Sequence, residues 1–241
     1  MRRREFTAMA LGAGVGIPLA AVELSRALVS GETYRLPDRP LATPSDGIIR
    51  TAVAIGPGTN VIDLAGPWEV FQDAAMAEAA ARFELYTVAE ETRAVEGSGG
   101  LRLEPTYSYE TAPRPQLVVV PAHQSSGRTL EWLREVAHRA DLVMSVCTGA
   151  YVVAEAGLLD GMSATTHHDS YDDFEASFPA IRVVRGRRFV EHEHVATAGG
   201  LTSGIDLALR VVERYLGRDA ANVTAACMEY VRRPYVSGAA A

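Results

Sequence analysis

From Gly47 onward the chain alternates short apolar runs with longer stretches whose apolar residues recur at helical spacing. Ile48 to Ile55 is an apolar strand interrupted by Arg50, closed by a Gly56-Pro-Gly-Thr-Asn60 turn. Val61-Ile-Asp63-Leu-Ala-Gly-Pro67 then leads into a helix predicted over Trp68 to Ala81. Phe83 to Ala89 reads as a second strand, and Ala94 to Pro105, with Gly97-Ser-Gly-Gly100 inside it, as a hairpin. Leu117 to Pro121 is a short continuous apolar strand, Thr129 to Ala140 an amphipathic helix, and Leu142 to Val146 another buried strand. Ser163 to His167 is a further short strand and Tyr171 to Phe178 a short helix. Val183 to Ala198 contains an antiparallel ribbon, after which Gly199-Gly-Leu-Thr-Ser-Gly204 opens a long helix over Ile205 to Leu216. Ala220 to Arg232 continues a helical pattern. Strands alternating with helices imply a doubly wound, mostly parallel α/β sheet covered on both faces. No repeat and no second domain stands out between residues 48 and 236.

One strand ends on chemistry. The run Leu142-Val-Met-Ser-Val146 is followed by Cys147-Thr-Gly-Ala150, and the next segment is helical in pattern. A residue held between a strand and a helix start sits on a sharp turn, with its side chain aimed out of the sheet. Unpaired N–H groups and the positive helix end favour thiolate there, which predicts a nucleophile with a lowered pKa. The competing reading is a buried cysteine that only packs.

Composition narrows the chemistry further. The 241 residues carry a formal net charge of −7, which makes nucleic acid a poor partner. All 23 basic residues are arginine, so Schiff-base chemistry and a P-loop lysine are excluded. Two cysteines, Cys147 and Cys227, build neither a disulfide framework nor a four-cysteine zinc site, and no metal or other cofactor is called for. At the other end, Met1-Arg-Arg-Arg-Glu-Phe-Thr7 precedes an apolar run from Ala8 to Val22. Residues 1–30 therefore read as an export signal of the twin-arginine type, with delivery to the periplasm or beyond; a membrane anchor is the alternative. The run is too short and too rich in Gly and Ala for a stable membrane span. Residues 31–47, with three prolines at Pro37, Pro40 and Pro44, form an irregular lead-in.

In a doubly wound sheet, ligands sit beyond the carboxyl ends of the strands. Residues 56–63, 121–125, 147–149, 166–169 and 197–204 should converge there, bringing Asp63, His123, Gln124, Cys147, Thr148 and His167. A cysteine nucleophile needs a proton acceptor and backbone N–H groups for a developing anion. Asp63 interrupts an apolar run and is the acceptor candidate, with helix capping as the simpler reading. His167 and His168, at a strand end, read first as satisfied buried histidines and second as site residues. His192-Glu193-His194 is a weak metal clip that implies no third ligand, and Gly199-Gly200 a weak anion signal whose glycines allow close backbone approach.

These motifs together resemble the ThiJ/PfpI family of the class I glutamine amidotransferase-like superfamily. The resemblance runs from about Ile49 to Leu216 and rests on Asp63-Leu-Ala-Gly-Pro-Trp-Glu-Val-Phe71, Val118-Val-Val-Pro121, Val146-Cys-Thr-Gly-Ala150, Ala156-Gly-Leu-Leu-Asp-Gly161, Ala164-Thr-Thr-His167 and Thr197-Ala-Gly-Gly-Leu-Thr-Ser-Gly-Ile-Asp-Leu-Ala208. It implies a flavodoxin-like fold with a nucleophile-elbow cysteine, and a homodimer. The Asp-x-x-Gly-Pro and Cys-Thr-Gly pairing is similar to members that hydrate isocyanides and to the sensor half of certain transcription regulators. Carried over, Cys147 would be the nucleophile, Thr148 would supply an N–H and a hydroxyl, and Asp63 would pass a proton to and from a small-molecule substrate. His123, Gln124, His167 and Gly200 would be auxiliary. The chain departs from the family twice. Thr148 stands where peptidase-type members have histidine, which argues against a Cys-His peptidase. Pro121-Ala-His123 stands where Pro-Gly-Gly is common, which puts an imidazole where the family has only backbone.

Overall fold

The computed structural model describes residues 36–232, so the expected export signal lies outside the described residues. Seven strands form the main sheet in the order β10-β11-β7-β6-β1-β2-β5. They are β1 (Ile48–Ala54), β2 (Arg82–Ala89), β5 (Tyr107–Ser108), β6 (Leu117–Val120), β7 (Leu142–Val146), β10 (Phe189–Glu191) and β11 (Val195–Ala198). All neighbours pair in parallel except β10 with β11. The sequence pattern had not singled out β5, which is two residues long and pairs only with the end of β2.

Alternation along the central strands builds two cores. Ile49 and Val53 of β1, Leu117 and Val119 of β6, and Leu142, Met144 and Val146 of β7 share one face. There they meet α1 (Val61–Asp73), α5 (Ser203–Leu216) and α6 (Arg218–Cys227). Ala52, Ala54, Val118, Val120 and Val143 point the other way, onto α2 (Gly127–Ala137), α3 (Gly149–Glu155) and α4 (Tyr171–Ser177). Burial on both faces explains why these strands read as near-continuous apolar runs. The result is the flavodoxin-like, doubly wound arrangement. Among the described residues, no helix is long and apolar enough to cross a membrane.

Three expectations need correction. The helix expected at 68–81 begins seven residues earlier, at Val61, and ends at Asp73, followed by a 3-10 turn over Ala74–Ala77. Gly66-Pro67 reads as a break in the sequence, yet it lies inside α1. Pro67 has no N–H to give the Asp63 carbonyl, but α1 is held here by packing. A Cβ on Gly66 would come within 3.1 Å of Ile205, and one on Gly204 within 3.3 Å of the Pro67 ring. Secondly, the strand expected at Ser163 to His167 shortens to β8 (Ser163–Ala164), which pairs with β9 (Arg182–Val183) in a separate two-stranded sheet. Thirdly, α6 stops at Cys227 rather than Arg232, and Glu229 just beyond it is left-handed at φ 51°. The expected hairpin is present as β3 (Val95–Glu96) paired antiparallel with β4 (Arg102–Leu103). It completes the start of α1, whose Val61 N–H donates to Ser98 Oγ at 3.1 Å.

The described lead-in is tied down through arginine. Arg214 Nε donates to the Arg39 carbonyl at 3.2 Å, Leu41 N–H donates to the Arg214 carbonyl at 2.9 Å, and Arg210 reaches the Pro37 carbonyl. Both arginines also hold the fully buried Glu191, at 2.9 and 3.0 Å.

The junction of β7 and α3 tolerates no extra atom. A Cβ on Gly149 would lie 2.9 Å from the Pro121 carbonyl group and closer still to the Val120 oxygen. Both neighbours are backbone at the end of β6. Gly149→Ala is therefore expected to destabilise the fold by about 1–3 kcal/mol, read as a lower urea midpoint with an unchanged slope.

Candidate active site

Cys147 follows β7 directly and has φ 59°, a left-handed conformation rare for a residue with a side chain. Its backbone is clamped from both sides. The N–H is shared between the carbonyls of Ala198 and Gly199, at 3.2 and 3.0 Å, beyond β11. The carbonyl accepts from Thr166 Oγ1 at 3.0 Å, from the segment after β8. This is the strand-to-helix elbow that the sequence predicts. It turns the sulfur out of the sheet, where the side chain stays 94% buried, with 6% relative exposure.

Asp63 arrives from α1 and is completely buried. It is the third residue of that helix; the capping position belongs to Asn60, so the simpler reading of Asp63 as a cap does not hold. Its Oδ2 accepts from the Ala122 N–H, at a long 3.4 Å, in the loop after β6. The Cys147 thiol is its other polar neighbour, yet among the described residues no hydrogen bond of good geometry reaches Oδ1. Burial pushes the Asp63 carboxyl up to about 6, with the Ala122 N–H and the thiol pulling it partly back.

The electrostatics of the sulfur reverse the expected sign. Burial raises the Cys147 pKa, and the neighbouring Asp63 charge raises it further. The N–H groups of Thr148 and Leu201 and the Thr148 hydroxyl oppose this without overcoming it. Cys147 is thus not the low-pKa thiolate that its place at a helix start suggests. A short helix end is outweighed by a dry site and an anion. What the arrangement offers is a neutral thiol beside a carboxylate that titrates near neutrality, an acid–base pair able to pass one proton between them. Leu201 is the residue that the sequence reading missed. It is left-handed at φ 49°, and its contribution is a backbone N–H aimed at the sulfur. The Gly199-Gly200 pair before it was the only signal.

The remaining residues divide. The segments after β1, β6, β7 and β11 do converge, through Asn60 N–H to the Ala122 carbonyl at 2.8 Å and Gln124 N–H to the Pro57 carbonyl at 2.9 Å. Gly200 meets the His167 ring so closely that a Cβ would lie 3.0 Å from Nε2, which accounts for the glycine. His123 pairs Nδ1 with the Pro121 carbonyl at 2.8 Å, and its Nε2 is buried with no partner among the described residues. Burial lowers its pKa, so the ring is neutral, and the carbonyl fixes the proton on Nδ1. Gln124 is exposed and lines a different cavity. His192 and His194 bond to separate backbone carbonyls, of Ser163 and Asp141, rather than to one another's ligand. Among the described residues, His167, His168 and Asp169 are the group whose ligand atoms lie close enough, within 4.8 Å, to hold a metal ion.

Fold and site define a flavodoxin-like α/β protein with a cysteine on its nucleophile elbow and an aspartate beside it. The chain belongs to the DJ-1/PfpI family, whose model matches residues 49–214. Isonitrile hydratase of Pseudomonas putida is 34% identical over 184 residues, covering 74% of this chain and 77% of that one. The transcriptional regulator CdhR of Pseudomonas aeruginosa is 35% identical over 88 residues, covering 36% of this chain and 26% of the regulator. Among solved structures, a ThiJ/PfpI family protein from Pseudomonas syringae superposes with a TM-score of 0.67 at 25% identity, over 88% of this chain and 83% of that one.

Two measurements follow from the electrostatics. Alkylation of Cys147 by iodoacetamide should reach its midpoint above the ordinary thiol range, and Asp63→Asn should bring that midpoint down by removing the negative neighbour. Asp63 also titrates higher in the fold than in the unfolded chain. The native state therefore holds its proton more tightly, and stability falls as pH rises from 3.8 to about 6. Asp63→Asn removes that cost, worth about 3 kcal/mol above the window. The variant should melt higher than the wild type at pH 7–8, with the gap closing towards pH 4.

Proposed function

We propose that the chain is a cysteine-dependent enzyme that adds water to an electrophilic carbon of a small molecule, in the manner of isonitrile hydratase, and that its twin-arginine leader exports it. The observation that carries this reading is the buried pair itself, Cys147 with the N–H groups of Thr148 and Leu201 beside it, and Asp63 with an unsatisfied oxygen. An isocyanide serves as the worked substrate. Asp63 takes the thiol proton as sulfur bonds to the isocyanide carbon, and the protonated carboxyl then delivers that proton to the same carbon, giving a thioformimidate on Cys147. Water adds across the carbon–nitrogen double bond, its oxygen to carbon and a proton to nitrogen. Collapse of the adduct breaks the carbon–sulfur bond, returns the hydroxyl proton through Asp63 to sulfur, and releases an N-substituted formamide. The backbone N–H groups face sulfur while it carries negative charge. A neutral resting thiol fits this order, because thiolate forms only as the new bond does.

A second reading has its own support. Several relatives are transcription regulators that match this chain over part of their length, and in that reading the same pocket binds a small molecule without converting it.

Turnover decides between the two. Incubation with a panel of alkyl and aryl isocyanides should give formamide, with kcat reduced at least about 100-fold in Cys147→Ser and in Asp63→Asn. The wild-type rate should fall as pH drops below about 6, where Asp63 takes up its proton. Binding without formamide under every condition would favour the regulator-like reading. For export, Arg3→Lys with Arg4→Lys should retain the protein in the cytoplasmic fraction.

A further inference from the structure

A cavity of about 250 Å³ lies beyond the carboxyl ends of β1 and β2, and neither Cys147 nor Asp63 lines it. The chain leaves β1 for β2 on one side and returns to β6 on the other, so the strand order reverses at β1. Crevices at such a reversal are where doubly wound sheets bind ligands. Gly56 forms part of the cavity wall, and a Cβ there would lie 2.8 Å from the His123 ring behind it. The same loop holds Asp63 through Ala122, so it touches both the cavity wall and the cysteine site.

The lining has a definite chemistry. Ile55, Ala89 and Tyr109 make an apolar floor, with Tyr109 held flat by stacking on Trp132 at 4.8 Å and by donating its hydroxyl to Thr129 at 3.0 Å. The rim carries two carboxylates, Glu90 and Glu91, against one guanidinium, Arg93. Glu90 Oε2 accepts from the Ser126 hydroxyl at 2.8 Å, while among the described residues Oε1 has the more distant Arg128 guanidinium at 3.8 Å. Arg93 stands 3.6 Å from Glu91, with both side chains mostly in solvent. At the Tyr109 hydroxyl the Glu90 charge adds to burial in raising the pKa, against the Thr129 hydrogen bond and the Arg128 charge. The Gln124 side-chain amide, also on the wall, has no hydrogen-bond partner among the described residues. A floor of this kind takes an aromatic or aliphatic body, and a rim of this kind attracts positive charge.

We propose that this cavity is a second small-molecule site, for a compact organic amine smaller than the drug-sized ligands that fill pockets of about 300–1,000 Å³. Its ammonium lies at the Glu90 and Glu91 carboxylates, its apolar body lies on Ile55, Ala89 and the Tyr109 face, and the Gln124 amide orients it. The site is independent of the hydratase reading, and the chemistry of Cys147 stands whether or not an amine binds.

Calorimetric titration of the full chain with benzylamine, benzyl alcohol and benzoate tests it, since the three share a body and differ in charge. Benzylamine should bind at least tenfold more tightly than either of the others. Glu90→Gln and Glu91→Gln should each weaken it several-fold, with an unchanged melting curve showing that the fold is intact. Prior alkylation of Cys147 should leave the affinity as it was. Equal binding of all three compounds, preference for benzoate, no heat with any of them, indifference to both glutamine variants, or loss of binding on alkylation would each overturn the proposal.

Discussion

The site depends on one backbone conformation. Cys147 is left-handed at φ 59°, a position that disfavours a residue with a Cβ and is kept only where surrounding bonds determine it. Here they come from different parts of the chain, the Ala198 and Gly199 carbonyls on one side and the Thr166 hydroxyl on the other. β7 must therefore sit beside β11 before the elbow can form, and Gly149 must let α3 start against the end of β6. The sulfur is placed by strand pairing, and its own helix contributes little to its charge.

Dryness then sets the chemistry. A carboxylate and a thiol share a pocket in which Asp63 is completely buried, so burial raises the cost of charging either group and the Asp63 charge raises it further for the thiol. The pocket answers with few hydrogen bonds, one long bond to Asp63 and two N–H groups near the sulfur. An Asp63 oxygen and the His123 Nε2 are left over, both buried and unpartnered among the described residues. Unsatisfied buried polar atoms cost stability in the resting protein, and they are groups that a substrate or an ordered water would satisfy. Elsewhere a buried charge is well satisfied. Glu191 is held by two arginine forks that also bind backbone carbonyls of the lead-in, a geometry open to guanidinium and closed to a lysine point charge.

The sequence by itself determined the alternation of strand and helix, because strands buried on both faces must be apolar throughout and their covering helices must be amphipathic. It determined Cys147 on an elbow and Asp63 in its company, since a charged residue inside an apolar run and a cysteine at a strand end are visible without a fold. Tertiary structure decided the rest. That α1 runs through Gly66-Pro67 depends on α5 packing against it, a contact between residues more than 130 positions apart that outweighs local propensity. That β8 leaves the main sheet depends on its pairing with β9. That the thiol pKa rises depends on burial and on the neighbouring carboxylate, two quantities that only the folded chain possesses, and that Leu201 takes part depends on a backbone N–H, which carries no mark of its own in a sequence.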